Sequence, residues 1–157
     1  MGFCGFVKPR NKIVVAGNPL VQELNIEEAG MYPGMLVMKG TNDDDIKINT
    51  DPSNNVVGWL GYEHTNPAYR PKDVDTSYNV GDKAAVLFGS NFVIVTSAIE
   101  AISKGEILEP SGNGDVRKRT AVADADGSGN AYPNLKVAIA EETKTAGKAD
   151  IMVRSKI

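Results

Sequence analysis

Ten short runs of β-branched and aliphatic residues, most of them fenced by Gly, Asn, Asp or Pro, constrain this chain more than any other feature. They are KIVV (12–15), MLVMK (35–39), DIKIN (45–49), VVGWLGY (56–62), KAAVLF (83–88), FVIVT (92–96), EILEP (106–110), VRKRT (116–120), LKVAIAE (135–141) and DIMVRS (150–155). Runs of this length and spacing predict an all-β barrel or sandwich. GTNDDD, GSN and PSGNGD supply residues suited to hairpin turns. Helical periodicity is weak. VQELNIEEAG (21–30) is one candidate helix. SAIEAISKG (97–105) is another, with Ser97 as cap, Glu100 three residues on and Gly105 as a stop.

The runs recur in one order. The first series is PGMLVMKG, DDIKINT, VVGWLGYE and NVGDKAAVLF; the second is KGEILEPSG, GDVRKRT, LKVAIAEE and TAGKADIMVR. GDKAAVLF (81–88) against GKADIMVR (147–154) is the closest pair. A fixed order at a period near 70 residues predicts two stacked β-units that close one core between them. Four short strands alone would bury too little apolar surface. Long loops interrupt the units at 64–77 and at 121–134.

Charge is unevenly placed. Residues 1–22 hold Lys8, Arg10 and Lys12 and no acid, so they carry +3 while the remainder carries −6. The acidic body lacks the basic face that general nucleic-acid binding needs. The basic, apolar, Gly-containing start reads as an extended N-terminal arm, residues 1–24, on a single body, residues 25–157. Phe3 and Phe6 in that arm have no evident core to enter, and an arm that docks on a partner or adds to its sheet edge would use them. Phe3, Phe6, Lys8, Arg10 and Lys12 are therefore the candidate partner-binding residues. The single cysteine, Cys4, excludes an internal disulfide. No apolar run approaches the ~20 residues of a membrane helix. Lys8, Pro9 and Arg10 interrupt any secretory leader.

Motifs with chemical potential fall short of a site. DADGSGN (124–130) starts like a calcium loop, with Asp124, Asp126 and Ser128 alternating before Gly129. Its twelfth position is Leu135 where a bidentate Glu is required, and strands flank it where helices should. It reads as a solvated inter-strand loop. The NDDD cluster (42–45) reads as a hairpin tip. His64, the only histidine, lies in a Pro-rich loop with no nucleophile elbow in the chain. SGNGD (111–115) joins two strands and has no helix N-terminus to hold phosphate. VRKRT lacks interleaved aromatics and reads as a charged strand. Trp59 and Tyr62, beside Gly58 and Gly61, read as core packing at a barrel bend. No catalytic, cofactor-binding or metal-ligating residue is expected.

The phrases NVGDKAAVLF and VAIAEETKTAGKADIMVR (137–154) resemble the capsid decoration, or cement, proteins of tailed viruses, over roughly residues 30–157. The resemblance implies a small β-barrel or β-tulip body; the repeated runs read above divide the chain into pseudo-repeats at about 30–96 and 98–157. It implies homotrimers on the three-fold and quasi-three-fold positions of an icosahedral capsid, with the major capsid protein as partner. It also implies an arm that reaches neighbouring subunits, residence on the outer surface of the virion after synthesis in host cytoplasm, and no catalytic residues or cofactor. No nucleic-acid or membrane partner is expected. The second reading is a ligand-binding β-module for sugar or calcium that uses the loops 64–77 and 121–134.

Overall fold

The computed structural model describes residues 8–9, 11–52, 55–63, 66–123, 126–127 and 129–157. Its regular elements are all strands. A short strand, β1 (Val14–Ala16), precedes the first unit. That unit holds β2 (Leu20–Ile26), β3 (Leu36–Lys39), β4 (Asp45–Ile48), β5 (Val56–Leu60) and β6 (Lys83–Phe88). These five close a barrel in the order β2-β4-β3-β5-β6. β2 runs parallel to β4, and every other neighbour is antiparallel.

The second unit holds β7 (Ser90–Ala98), β8 (Ile107–Pro110), β9 (Val116–Lys118), β12 (Ala138–Ala140) and β13 (Ala149–Lys156). Between β9 and β12 lies a two-stranded insertion, β10 (Val122–Ala123) and β11 (Asn130–Ala131). The order is β7-β9-β8-β12-β13, closed where Ala98 meets Val116. Again only the first and third strands run parallel.

The duplication extends to single residues. Ile26↔Ile46 in the first barrel matches Ala98↔Val116 in the second. Each pair is followed by the same bond, Glu27 N–H to Ile46 O at 3.0 Å and Ile99 N–H to Val116 O at 3.2 Å. Leu60↔Val86 matches Ala140↔Val153, which displaces the Gly81-to-Gly147 alignment by one residue. The four repeated runs of the sequence are β3–β6 and β8, β9, β12 and β13. Each unit also opens with a strand, β2 or β7, that the repeat pattern omits.

Side-chain alternation sends adjacent residues into different cores. Val37, Leu60 and Val86 fill the first barrel. Leu36, Trp59 and Leu87, one residue away on the same strands, join Ile94, Leu108, Val116, Ile151 and Val153 of the second unit. Strands buried on both faces read as continuous apolar runs, which is why KAAVLF shows no polar alternation. Gly58 and Gly61 permit this: a Cβ would sit 2.5 Å from Leu87 O at the first and 2.8 Å from Ala85 O at the second.

Polar bonds set the two barrels against each other. Trp59 Nε1–H donates to Ser155 Oγ at 3.0 Å, and the Ser155 hydroxyl faces the carbonyls of Gly89 and Ile157. Thr96 Oγ1–H donates to Gly34 O at 2.8 Å. Leu36 N–H donates to Gly114 O at 2.8 Å.

Both helix expectations are corrected. Residues 21–26 of the first candidate belong to β2, because the strand's N–H and C=O groups pair along β6. In the second, Ser97 and Ala98 end β7, and Ile102 makes an isolated bridge to Lys144. Ala98 and Ile102, four apart and both buried, imitate a helical face while lying on an extended crossing.

Candidate functional site: the arm root and its cleft

Of the stretch 1–24 expected as an arm, residues 14–16 form β1 and residues from Leu20 onward belong to β2. Ile13 is buried, and Val14 and Ala16 pair with Ile94 and Val93 of β7. Glu63 Oε1 accepts the N–H groups of Ile13 at 2.5 Å and Val14 at 2.8 Å. Phe3, Phe6 and Arg10 lie outside the described residues, so only Lys8 and Lys12 of the candidate set are placed. Both line one cleft.

That cleft, about 370 Å³, lies where the arm root, the loop before β3, and strands β7 and β13 meet. Its charged lining is balanced: Lys8, Lys12 and Lys148 against Asp75, Asp115 and Asp150. Lys8 Nζ donates to Asp150 O at 2.9 Å and pairs with Glu142 Oε1 at 2.6 Å. Asp115 is almost wholly buried, with Lys148 Nζ at 2.9 Å. Asp150 keeps solvent exposure, yet partial desolvation in the cleft pushes its carboxyl up from its ordinary range, against the pull of Lys8 and with help from the charges of Asp75 and Glu142. Lys8 therefore acts as an anchor, a cation tied to the body at a point where acids crowd. Lys12 is exposed, at the cleft mouth.

A second polar centre fixes the insertion in the second unit. Glu109 is fully buried. Its Oε1 accepts from Arg117 Nε at 2.8 Å and Asn134 Nδ2 at 2.9 Å, and its Oε2 from Thr120 N–H at 3.1 Å. Burial, the strongest single influence, pushes this carboxyl up. The bonds from Asn134, Thr120 and Arg117, with the Arg117 charge, outweigh burial and hold it below the usual range. Thr120 and Asn134 are the two feet of the β10–β11 hairpin, so one carboxylate clamps both. Arg119 stacks 4.3 Å above the Tyr132 ring on the same insertion. Glu109, set between Leu108 and Pro110 in the strand ILEP, is the sequence signal for this buried carboxylate.

Most of the DADGSGN stretch lies between β10 and β11 in the sequence. Asp124 and Ser128 lie outside the described residues, and Asp126 is exposed. Among the described residues no group of three or more His, Cys, Asp or Glu is placed to hold a metal ion. His64 also lies outside the described residues. The NDDD cluster is a tip between β3 and β4, where Lys39 pairs with Asp43 at 2.6 Å and Asn42 bonds Asp45. Arg117 of VRKRT meets its acidic partner within the chain, at Glu109. The loop after β5 folds back on its strand: Arg70 lies 4.9 Å from the Tyr62 ring centre, and Tyr62 O–H donates to Lys72 O at 3.1 Å.

No protein-family profile and no curated protein matches the chain. A solved structure does: the crystal structure of the head fiber gp8.5 N base in bacteriophage phi29. The likeness has a TM-score of 0.52 at 14% sequence identity, over 87% of this chain and 93% of that one. Over most of its length, then, this chain is similar in fold to the N base of a bacteriophage head fiber.

Proposed function

We propose that the chain is a non-enzymatic virion structural protein. It is a decoration protein that docks on the outer surface of an icosahedral capsid and stabilises it, as trimers at three-fold and quasi-three-fold sites. The observation that carries this reading is the fold likeness to a phage head component over 87% of the chain. The major capsid protein is the partner. The arm supplies apolar contact and strand addition through Phe3 and Phe6, and charge through Arg10 and Lys12. Lys8, bound to Glu142 and Asp150, fixes the point from which the arm departs. Each contact is modest, and many copies acting together on one shell give avidity.

Removing residues 1–22 would take β1 and the start of β2 with it, so charge reversal is the cleaner test. Arg10→Glu with Lys12→Glu should weaken co-sedimentation with shells about tenfold at physiological salt, roughly 1.4 kcal/mol, while the body stays folded. Unchanged binding by that folded variant would overturn the role given to the arm.

A further inference from the structure

The duplicated fold shows what is unfilled in its first unit. β7, opening the second unit, has neighbours on both edges: β13 on one, and on the other β1 and then β9. β1 covers residues 93–95, where Val95 N–H donates to Ile13 O at 2.9 Å. The residue pairs matched above place β2 on β7 so that Leu20 corresponds to Phe92, Val21 to Val93 and Glu23 to Val95. β2 pairs with β6 along Leu20–Asn25 but reaches β4 only at Asn25 and Ile26. Among the described residues, nothing pairs with its outer edge from Leu20 to Leu24.

The exposures follow. Phe92 and Val93 are 1% and 4% exposed, whereas Leu20 and Val21 are 62% and 40% exposed. Asn25 N–H points to Asp44 O on the β4 side, and Ile26 N–H to Asp82 O on the β6 side. Alternation along the strand therefore turns the main-chain groups of Val21 and Glu23 outward. An edge with apolar side chains and outward main-chain groups is a template for another strand.

The reach of residues 1–7 decides which copy can supply them. Lys8 is bound to Asp150, which pairs with Ser97 near the end of β7. Leu20 pairs with Phe88, just before β7 starts at Ser90. Seven residues of β7 separate the two places, about 23 Å at roughly 3.3 Å per residue. Residues 1–7 (MGFCGFV) span at most about 25 Å when fully extended. Residues 1–7 of the same copy would spend all seven positions on that path and leave none of themselves to pair.

We propose that residues 1–7 of a second copy add to the Leu20–Glu23 edge as a strand, as β1 does on β7 within one chain. The segment carries no charged side chain and brings Phe3 and Phe6 to the exposed Leu20 and Val21. The contact joins unlike surfaces, so around a closed ring it generates a cyclic oligomer. The inference rests on the function proposed above and moves Phe3 and Phe6 from the capsid to a neighbouring copy, leaving Arg10 and Lys12 to meet the capsid. It is tested without shells, so failure here is distinguishable from failure to bind capsid.

Solution mass is measured by light scattering for the full chain, for a chain lacking residues 1–7, and for Val21→Pro. The proline removes one outward N–H at an edge position that tolerates it. The full chain should be oligomeric, and both variants should be folded monomers by circular dichroism. A trimer fits the proposed function; a reciprocally exchanged dimer sustains the inference while contradicting the trimer. Cys4 is the sole cysteine, so mild oxidation of Val21→Cys gives a second readout that needs no proline. Chain-to-chain disulfides are expected. A monomeric full chain, a disulfide from Cys4 to the introduced thiol within one chain, or an oligomer that survives loss of residues 1–7 would overturn the proposal.

Discussion

Glu109→Gln is the perturbation whose cost the structure specifies most fully. The carboxylate is wholly buried, with two donors facing Oε1 and one facing Oε2. A glutamine has one carbonyl oxygen and one NH2, so whichever way it turns a donor faces a donor. The least costly choice turns the NH2 toward Thr120 N–H and leaves that buried amide unpaired, about 1–3 kcal/mol. Arg117 loses its counter-charge, but a third of its side chain is exposed and water compensates part of that. The total is about 2–3 kcal/mol, which lowers Tm by roughly 5–10 °C for a chain of this size. The pH dependence has a definite sign. The folded carboxyl titrates below its unfolded value of about 4.3, so its contribution is present above that pH and is lost as pH falls through the folded pKa. Thermal unfolding followed by circular dichroism should show the parent–variant gap at pH 7 narrowing below about pH 4. A Tm within about 1 °C of the parent at pH 7, or a gap unchanged at pH 3, refutes the assignment.

Gly34→Ala should cost about 3 kcal/mol, from a left-handed backbone and a Cβ 2.7 Å from Val95 O. Gly147→Ala has a similar φ of 93° with nothing within 4 Å, and should cost only about 1 kcal/mol. Equal losses in denaturant titration would contradict the close inter-barrel approach at Gly34. Ser155→Ala strands the buried Trp59 N–H and should cost about 1–3 kcal/mol, with a shift in tryptophan emission; unchanged stability would remove that bond from the account. Calorimetric titration with calcium should give no saturable heat. A saturating isotherm that vanishes in Asp124→Ala would favour the ligand-binding reading.

The units were legible in the sequence because their strands sit in one order with similar punctuation, and burial on both faces kept runs such as KAAVLF conspicuous. β2 was not legible. Its first four residues are all exposed, so Leu20, Val21 and Leu24 form no period-two pattern, and the spacing imitates a helix. The β10–β11 hairpin was hidden because its strands bury little, and its anchor, Glu109, lies in another strand. The cleft gathers Lys8, Asp115, Lys148 and Asp150 from widely separated positions, and only the closed second barrel brings them together. The arm's charge was visible from composition, but the partner of Lys8 within the body was not.

The central claim is that this two-barrel chain is a shell-bound structural protein. Electron cryomicroscopy tests it most directly, on shells of the major capsid protein that the proposed function names as the partner. With the chain added, two-barrel densities should occupy the three-fold and quasi-three-fold positions of the outer surface. Shells that stay bare at saturating protein, with the chain folded and free in solution, would contradict the account.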